Sequence, residues 1–303
     1  MWSQGRFPRS DAGGDDMGQF AETTARLGFL HIEINYVIPE EGVDQLLASN
    51  HVTAVSFHSP CPRVKTARGV WSEALNLASS DQEERALAVD RARATIDRAA
   101  EAGARYVVVH LGGAGSDMLD EERQLRRLFD AGTRTGEEVE ALRRGALVRR
   151  REGARAHYPG ARRSLAEIAE HAAARGVAVA LENRYHYHEF PNVDEMHELL
   201  ADFPPEVAGF WLDLGHAEVL DRLGLIDKGR WLGELAPRCI GAHLHDIDGL
   251  ADHRPPGHGT ADWEHVAKHL PADIPRVLEI NQRTAEEHVA ASVPFLRERG
   301  VLP

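Results

Sequence analysis

Cysteine is scarce in this 303-residue chain: Cys61 and Cys239 are the only two. That excludes a disulfide framework and fits a reducing cytosol. Cys239 opens an apolar run and reads as core filler. Long apolar stretches are missing as well, and none approaches the roughly 20 residues that cross a bilayer. The opening segment, Met1 to Ser10, lacks the apolar core of a signal peptide. Positive charge is in deficit, with a formal net charge of −13. An acidic chain opposes a broad electrostatic footprint for nucleic acid. No glycine-rich phosphate loop of the nucleotide-binding type is present either. These absences leave the expectation of a cytoplasmic enzyme with a small-molecule substrate and no membrane or nucleic-acid partner.

Four short apolar runs each end in a residue able to bind a hard metal ion. They are Val177 to Glu182, Ala208 to Asp213, Cys239 to His245 and Arg276 to Glu279. Successive endings are separated by 31, 32 and 34 positions. One parallel strand with its return helix takes roughly 30 residues, and a buried parallel strand reads as a continuous apolar run. The spacing therefore predicts four βα units, each presenting one ligand at a strand's C-terminal end. In a (β/α)₈ barrel those ends converge on the active face. Glu182, Asp213, His245 and Glu279 would meet there as an oxygen-rich site for a divalent metal, such as Mn²⁺, Zn²⁺, Mg²⁺ or Co²⁺.

Upstream the alternation continues. A helix from Met17 precedes strands predicted at Phe29 to Ile34, Val52 to His58 and Tyr106 to His110, with a helix from Val43 between the first two. Ser80-Asp-Gln-Glu83 reads as a capping box opening a helix that runs to Gly103. That makes seven strands, one short of a closed barrel. Either Met1 to Phe7 supplies a shortened first strand, or the sequence begins downstream of it; the second is preferred. Residues 1–303 are expected to form one barrel domain. From His110 to Glu182 the gap is 72 positions, about 40 more than a unit needs. The surplus, about 117–160, is rich in Arg and Glu and includes Arg149-Arg150-Arg151. It reads as a solvated helical insertion after the fourth strand, or as a lid or an arm for a homo-oligomer.

Histidines crowd the same strand ends. His58 and His110 close the third and fourth strands, so they are either site residues or capped core. Glu33 is placed to contact substrate or to form an internal salt bridge. His243 and His245 point to one side of their strand. His245, nearer the C-terminal end, is the better ligand, which leaves His243 one layer deeper. His253 belongs to the site or to the surface, whereas His258 is expected to be exposed.

Leu181-Glu-Asn183, Leu212-Asp-Leu-Gly-His216, His243-Leu-His-Asp246 with Pro256-Gly-His-Gly259, and Leu278-Glu279 together resemble the xylose-isomerase-like TIM-barrel superfamily. That superfamily contains sugar-phosphate isomerases and epimerases, ketose 3-epimerases, hydroxypyruvate isomerases, inosose dehydratases and endonuclease IV-type repair enzymes. The resemblance, over roughly Phe29 to Leu296, implies a metal on Glu182, Asp213, His245 and Glu279, with His216 on the substrate. It also implies that Glu182 and Glu279 act as the acid–base pair. His58, His110, His216 and His253 match additional metal-binding histidines of the repair enzymes. The aspartate expected two residues before His253 falls on Ala251, however, with Asp252 one place off.

The resulting expectation is a metal-dependent isomerase or epimerase of a sugar, sugar phosphate or polyol derivative. His216, Glu33, Arg254, His58 and His110 are its candidate substrate contacts. A multinuclear zinc hydrolase of phosphoesters and a dehydratase on the same metal site are the alternatives.

Overall fold

The computed structural model describes residues 2–7, 15–67, 69–115 and 117–303. Seven parallel strands form one nearly closed sheet: β1 (His31–Ile34), β2 (Thr53–His58), β3 (Tyr106–Val109), β4 (Ala178–Glu182), β5 (Ala208–Asp213), β6 (Cys239–Leu244) and β9 (Arg276–Leu278). A small antiparallel hairpin, β7 (Asp246–Asp248) with β8 (Ala251–Arg254), stands on the mouth after β6. The apolar-run reading located all seven barrel strands. β4, β5 and β6 are buried along their whole length, as strands covered on both faces must be.

Helices α1 (Met17–Arg26), α2 (Glu40–Ala48), α3 (Gln82–Glu101), α4 (Asp120–Asp130), α5 (Glu137–Arg175), α6 (Val193–Leu200), α7 (Leu214–Arg222), α8 (Gly229–Leu235), α9 (Trp263–His269) and α10 (Glu286–Glu298) supply the returns. Their starts follow local chemistry. Asn192 and Glu195 form a reciprocal capping box on α6. Asp262 caps α9 through the His265 N–H. On α3 the cap is Asp81, not Ser80: its side chain accepts from the Glu83 and Glu84 amides. The carboxylate outcompetes the neighbouring hydroxyl for the exposed N–H groups.

The β5–β6 ladder carries an irregularity that matters for the site. Phe210 stands opposite Cys239 but Trp211 stands opposite Gly241, so one residue of β6 is skipped. From there Asp213 pairs with His243. His245 falls beyond the strand end, where the chain turns into β7.

The eighth strand is absent among the described residues, and the sheet stays open between β1 and β9. Trp2 to Phe7 form turns rather than a strand. Trp2 and Phe7 pack on Ile280 and Val289 beside that opening, and Trp2 Nε1 donates to the Thr284 carbonyl at 3.0 Å. A cavity of about 350 Å³ follows the seam, walled by Phe20, Phe29, Ile32 and Leu278 and reaching Glu33 and Glu279.

The insertion is helical: α4 and the first half of α5 pack together over the mouth. Leu125, Phe129, Val139 and Ala146 meet Leu220 on α7 and Ile247 in the hairpin, forming a second core above the barrel. Its outer face is solvated, but the arginine run is not uniform. Arg149 and Arg151 are exposed, whereas Arg150 is 4% exposed. Arg150 donates to the Tyr187 and Glu189 carbonyls and to both Glu195 oxygens, the latter each at 2.7 Å. It thereby ties the insertion to the loop that follows β4. Arg150→Ala should destabilise the protein by about 3–5 kcal/mol, because Glu195 would lose its charge partner in a dry setting. The midpoint of urea unfolding reads this directly.

Candidate metal centre

His243 is the anchor of the site. Its ring is fully buried, and Nε2 donates to Glu33 Oε1 at 2.9 Å. Glu33 is itself fixed by the Ser56 hydroxyl at 2.8 Å. This leaves His243 Nδ1 without a hydrogen-bond partner in the interior. Three carboxylates surround that atom: Glu279 Oε2 at 3.2 Å, Glu182 Oε1 at 3.6 Å and Asp213 Oδ2 at 3.7 Å. A buried ring nitrogen facing three carboxylates belongs to the donor set that a divalent cation fills, displacing any proton the ring carries there. Holding the far nitrogen on a carboxylate is how a metal-binding imidazole is normally oriented. The residues present therefore fit a metal ion.

This geometry differs from the expected quartet. Glu182, Asp213 and Glu279 converge, but the imidazole among them is His243 and not His245. The skipped residue in β6 and the Asp213–His243 pairing account for the change. His245 is fully buried beside Asp213, with Nε2 at 3.1 Å from both of its carboxylate oxygens.

Two further groups of ligand atoms share residues with the first. His58 Nε2 and His110 Nε2 lie 3.2 and 2.9 Å from Glu182 Oε2. His58 Nδ1 donates to the Ser59 carbonyl, which turns Nε2 inward. The other group is His216, Asp252 and His253. His216 Nδ1 donates to the Asn183 carbonyl at 2.9 Å, so its Nε2 faces Asp252. Asp252, one place from the position the resemblance marks, does reach this group. Arg254 does not: it is exposed at the end of β8, outside all of these groups. Glu33 sits beneath His243 as its hydrogen-bond acceptor, the salt-bridge alternative weighed from sequence. His258 is exposed, as expected.

Several participants carried no clear sequence signal. Asn183 bonds the Asp213 backbone in both directions, at 2.7 and 2.8 Å, and locks the ends of β4 and β5 together. Arg184 is held by Glu189 at 3.0 Å, and its Nη1 lies 3.7 Å from Glu182. Asp246 accepts the amides of Gly257 and Ala261 and the Trp263 indole, which shapes the loop carrying the histidines. Only the Leu-Glu-Asn and His-Leu-His-Asp motifs hinted at Asn183 and Asp246.

The charges respond to one another. Burial alone would raise the Glu182 carboxyl, but His110 and His243 beside it hold it well below its usual range. Burial also opposes ionised Asp213, yet His216 and His245 bring it down further. Burial would lower His243, but Glu33, Glu279 and Glu182 raise it well above an ordinary histidine. His253 is pushed up to about 10 against its burial by Asp252 and Glu279. His110 moves the other way, down to about 3, through burial and the nearby Arg184. Carboxylates here stay ionised and some imidazoles hold protons where a cation would sit.

Beside the ligands a polar cavity of about 670 Å³ opens under the loops after β2, β3 and β4. Tyr36, Glu73, Asn76, His110, Arg184 and His188 are among its walls. Burial and Glu279 raise the Tyr36 phenol, so it keeps its proton.

A family profile described as xylose isomerase-like TIM barrel matches residues 21–299 of the chain. The chain belongs to that family. No curated protein matches it significantly. Among solved structures, this xylose isomerase-like barrel is similar to D-psicose 3-epimerase from Clostridium cellulolyticum. Identity is 16%, coverage 94% of each chain and the TM-score 0.64. A Thermus thermophilus protein soaked with ZnCl₂ is 23% identical over 93% of this chain and 94% of that one, with a TM-score of 0.58. For 3-keto-D-glucoside 4-epimerase from E. coli the values are 13%, 96%, 97% and 0.62. At these identities the likeness shows the fold.

No helix among the described residues is long and apolar enough to cross a membrane.

Proposed function

We propose that this barrel is a cytoplasmic, divalent-metal-dependent isomerase or epimerase of a sugar, sugar phosphate or polyol derivative. The observation that carries the reading is the partnerless buried Nδ1 of His243 facing Glu182, Asp213 and Glu279 beside a polar cavity. A divalent ion held by these four residues would polarise a substrate carbonyl and acidify the neighbouring C–H. Glu182 and Glu279 are the proposed acid–base pair, with unequal loads. Glu182 Oε2 is shared by His58 and His110, and its Oε1 faces His216. Glu279 Oε2 faces His243 and His253, while its Oε1 has no hydrogen-bond partner among the described residues. Glu279 is thus the freer proton carrier. Tyr36 and Arg184 are placed to donate to substrate oxygens in the cavity. Two of the similar structures are epimerases by name, which supports the reading by analogy of fold.

A second reading has its own observation. His58 and His110 on Glu182, together with His216, Asp252 and His253, form ligand groups that a single-ion isomerase does not require. They favour a multinuclear hydrolase of phosphoesters. A dehydratase would share the proton-abstraction step with the isomerase. The deciding experiment counts metal ions per chain and follows deuterium uptake from heavy water into ketoses and aldoses. The isomerase reading expects uptake at the carbon next to the carbonyl, with one ion sufficient for it. Two or three ions, no uptake with any sugar, and release of phosphate or alcohol from esters would overturn it in favour of the hydrolase.

A further inference from the structure

The strand-end spacing offers His245 as a ligand, but the geometry points to a different task. We propose that His245 is a positioning residue, accepting on Nδ1 and donating from Nε2, which fixes Asp213 and the loop bearing Asp252 and His253 without binding metal itself. The inference rests on the metal-centre reading and assigns a residue that reading leaves open.

The argument is one of donors and acceptors. The backbone N–H of His253 donates to His245 Nδ1 at 2.8 Å. An amide nitrogen is a donor only, so Nδ1 must carry the ring's lone pair. The ring's proton is then on Nε2, which donates to Asp213 Oδ1 and Oδ2, both at 3.1 Å. Ligand atoms of Asp213, His245 and His253 do lie close enough to hold an ion. Yet both His245 nitrogens are already committed, and no lone pair is left for a metal. His243 and His216 show the opposite pattern, with one nitrogen donating outward and the other free to face carboxylates.

What His245 holds is otherwise hard to hold. His253 is the only described non-glycine residue in the left-handed region, at φ 54°. Such a conformation persists only where the surroundings enforce it. The hydrogen bond from its own N–H to Nδ1 holds the residue there, and the two rings stack with centroids 4.4 Å apart and planes 3° from parallel. On the other side, Asp213 is turned by the Nε2 proton toward the point it shares with His243. Gly215 makes room: a Cβ there would lie only 2.1 Å from His245 Cε1.

The test uses full-length protein labelled with ¹⁵N-histidine, measured after chelation and after loading with Zn²⁺. The His245 signals are assigned by their loss in His245→Asn. The expected result is an unprotonated Nδ1 and a proton-bearing Nε2 in both states. Loss of the Nε2 proton with a metal-bound shift on Zn²⁺ loading would overturn the proposal, as would a Nδ1-protonated ring. Two variants separate the two ties. In His245→Asn the side-chain oxygen can replace Nδ1 and keep the loop, whereas in His245→Gln the amide can replace Nε2 and keep Asp213. Both should retain the wild-type number of Zn²⁺ ions while affinity falls about 10–100-fold, the usual effect of removing an orienting partner. Loss of one whole ion in both variants would make His245 a ligand and end the proposal. Should the variants not fold, the wild-type spectra decide alone, with signals assigned through His243 and His216 variants. None of these readouts involves a substrate, so failure of the isomerase reading would leave the result on His245 standing.

Discussion

Glu182→Ala is expected to empty two metal positions at once and to lower turnover by about 10²–10⁴-fold, the range for a lost acid–base group. The reason is its shared use. One carboxylate oxygen serves His58 and His110, and the other faces His243 and His216. His58→Ala or His110→Ala touches one of those groups only and should remove at most one ion. Elemental analysis after gel filtration distinguishes the two patterns, with circular dichroism to confirm that the sheet survives. A loss of the same single ion in all three variants would show that Glu182 is not shared. The fold should tolerate the change, because β4 is held by ladders on both sides.

Loading the centre with metal should release protons at neutral pH, and affinity should rise with pH. His243 and His216 are raised above ordinary histidines, and His253 is pushed up to about 10. At pH 7 these rings carry protons in the ion-free protein, and a cation can bind only to the deprotonated nitrogen. Each proton displaced makes the apparent affinity climb about tenfold per pH unit until the ring's own value is passed. Affinity is therefore lost as pH falls. His110 behaves differently: burial and Arg184 keep it neutral down to about pH 3, so it has no proton to give up at pH 7. The His110 ligand should thus add less pH dependence to binding than His243 or His253 does. Calorimetry in buffers of different ionisation enthalpy measures the protons released. Identical heats in every buffer would contradict the charge state derived for the centre.

Much of this architecture was legible from residue order. Continuous apolar runs at a nearly constant step marked the strands, because a strand buried on both faces leaves little room for polar side chains. Glu182, Asp213 and Glu279 followed from the rule that barrel strand ends converge. The exchange of His243 for His245 could not be read. It depends on the skipped residue at Ile240 in β6, and alternation within a strand says nothing of a bulge against its neighbour. Arg150 illustrates a second limit. Three adjacent arginines read as a solvated face, but one turn of a helix buries one of them when a carboxylate such as Glu195 waits opposite. Arg254 illustrates a third, since a loop's polar residues do not announce which of them turn inward.

The open seam gives the centre a mechanical role. No ladder joins β1 to β9, so backbone hydrogen bonds do not fix the barrel's girth at that point. Glu33 on the β1 side and Glu279 on the β9 side instead meet the two nitrogens of one imidazole, His243. That ring is a clasp across the gap, joining the two sides of the seam through side chains where the backbone does not.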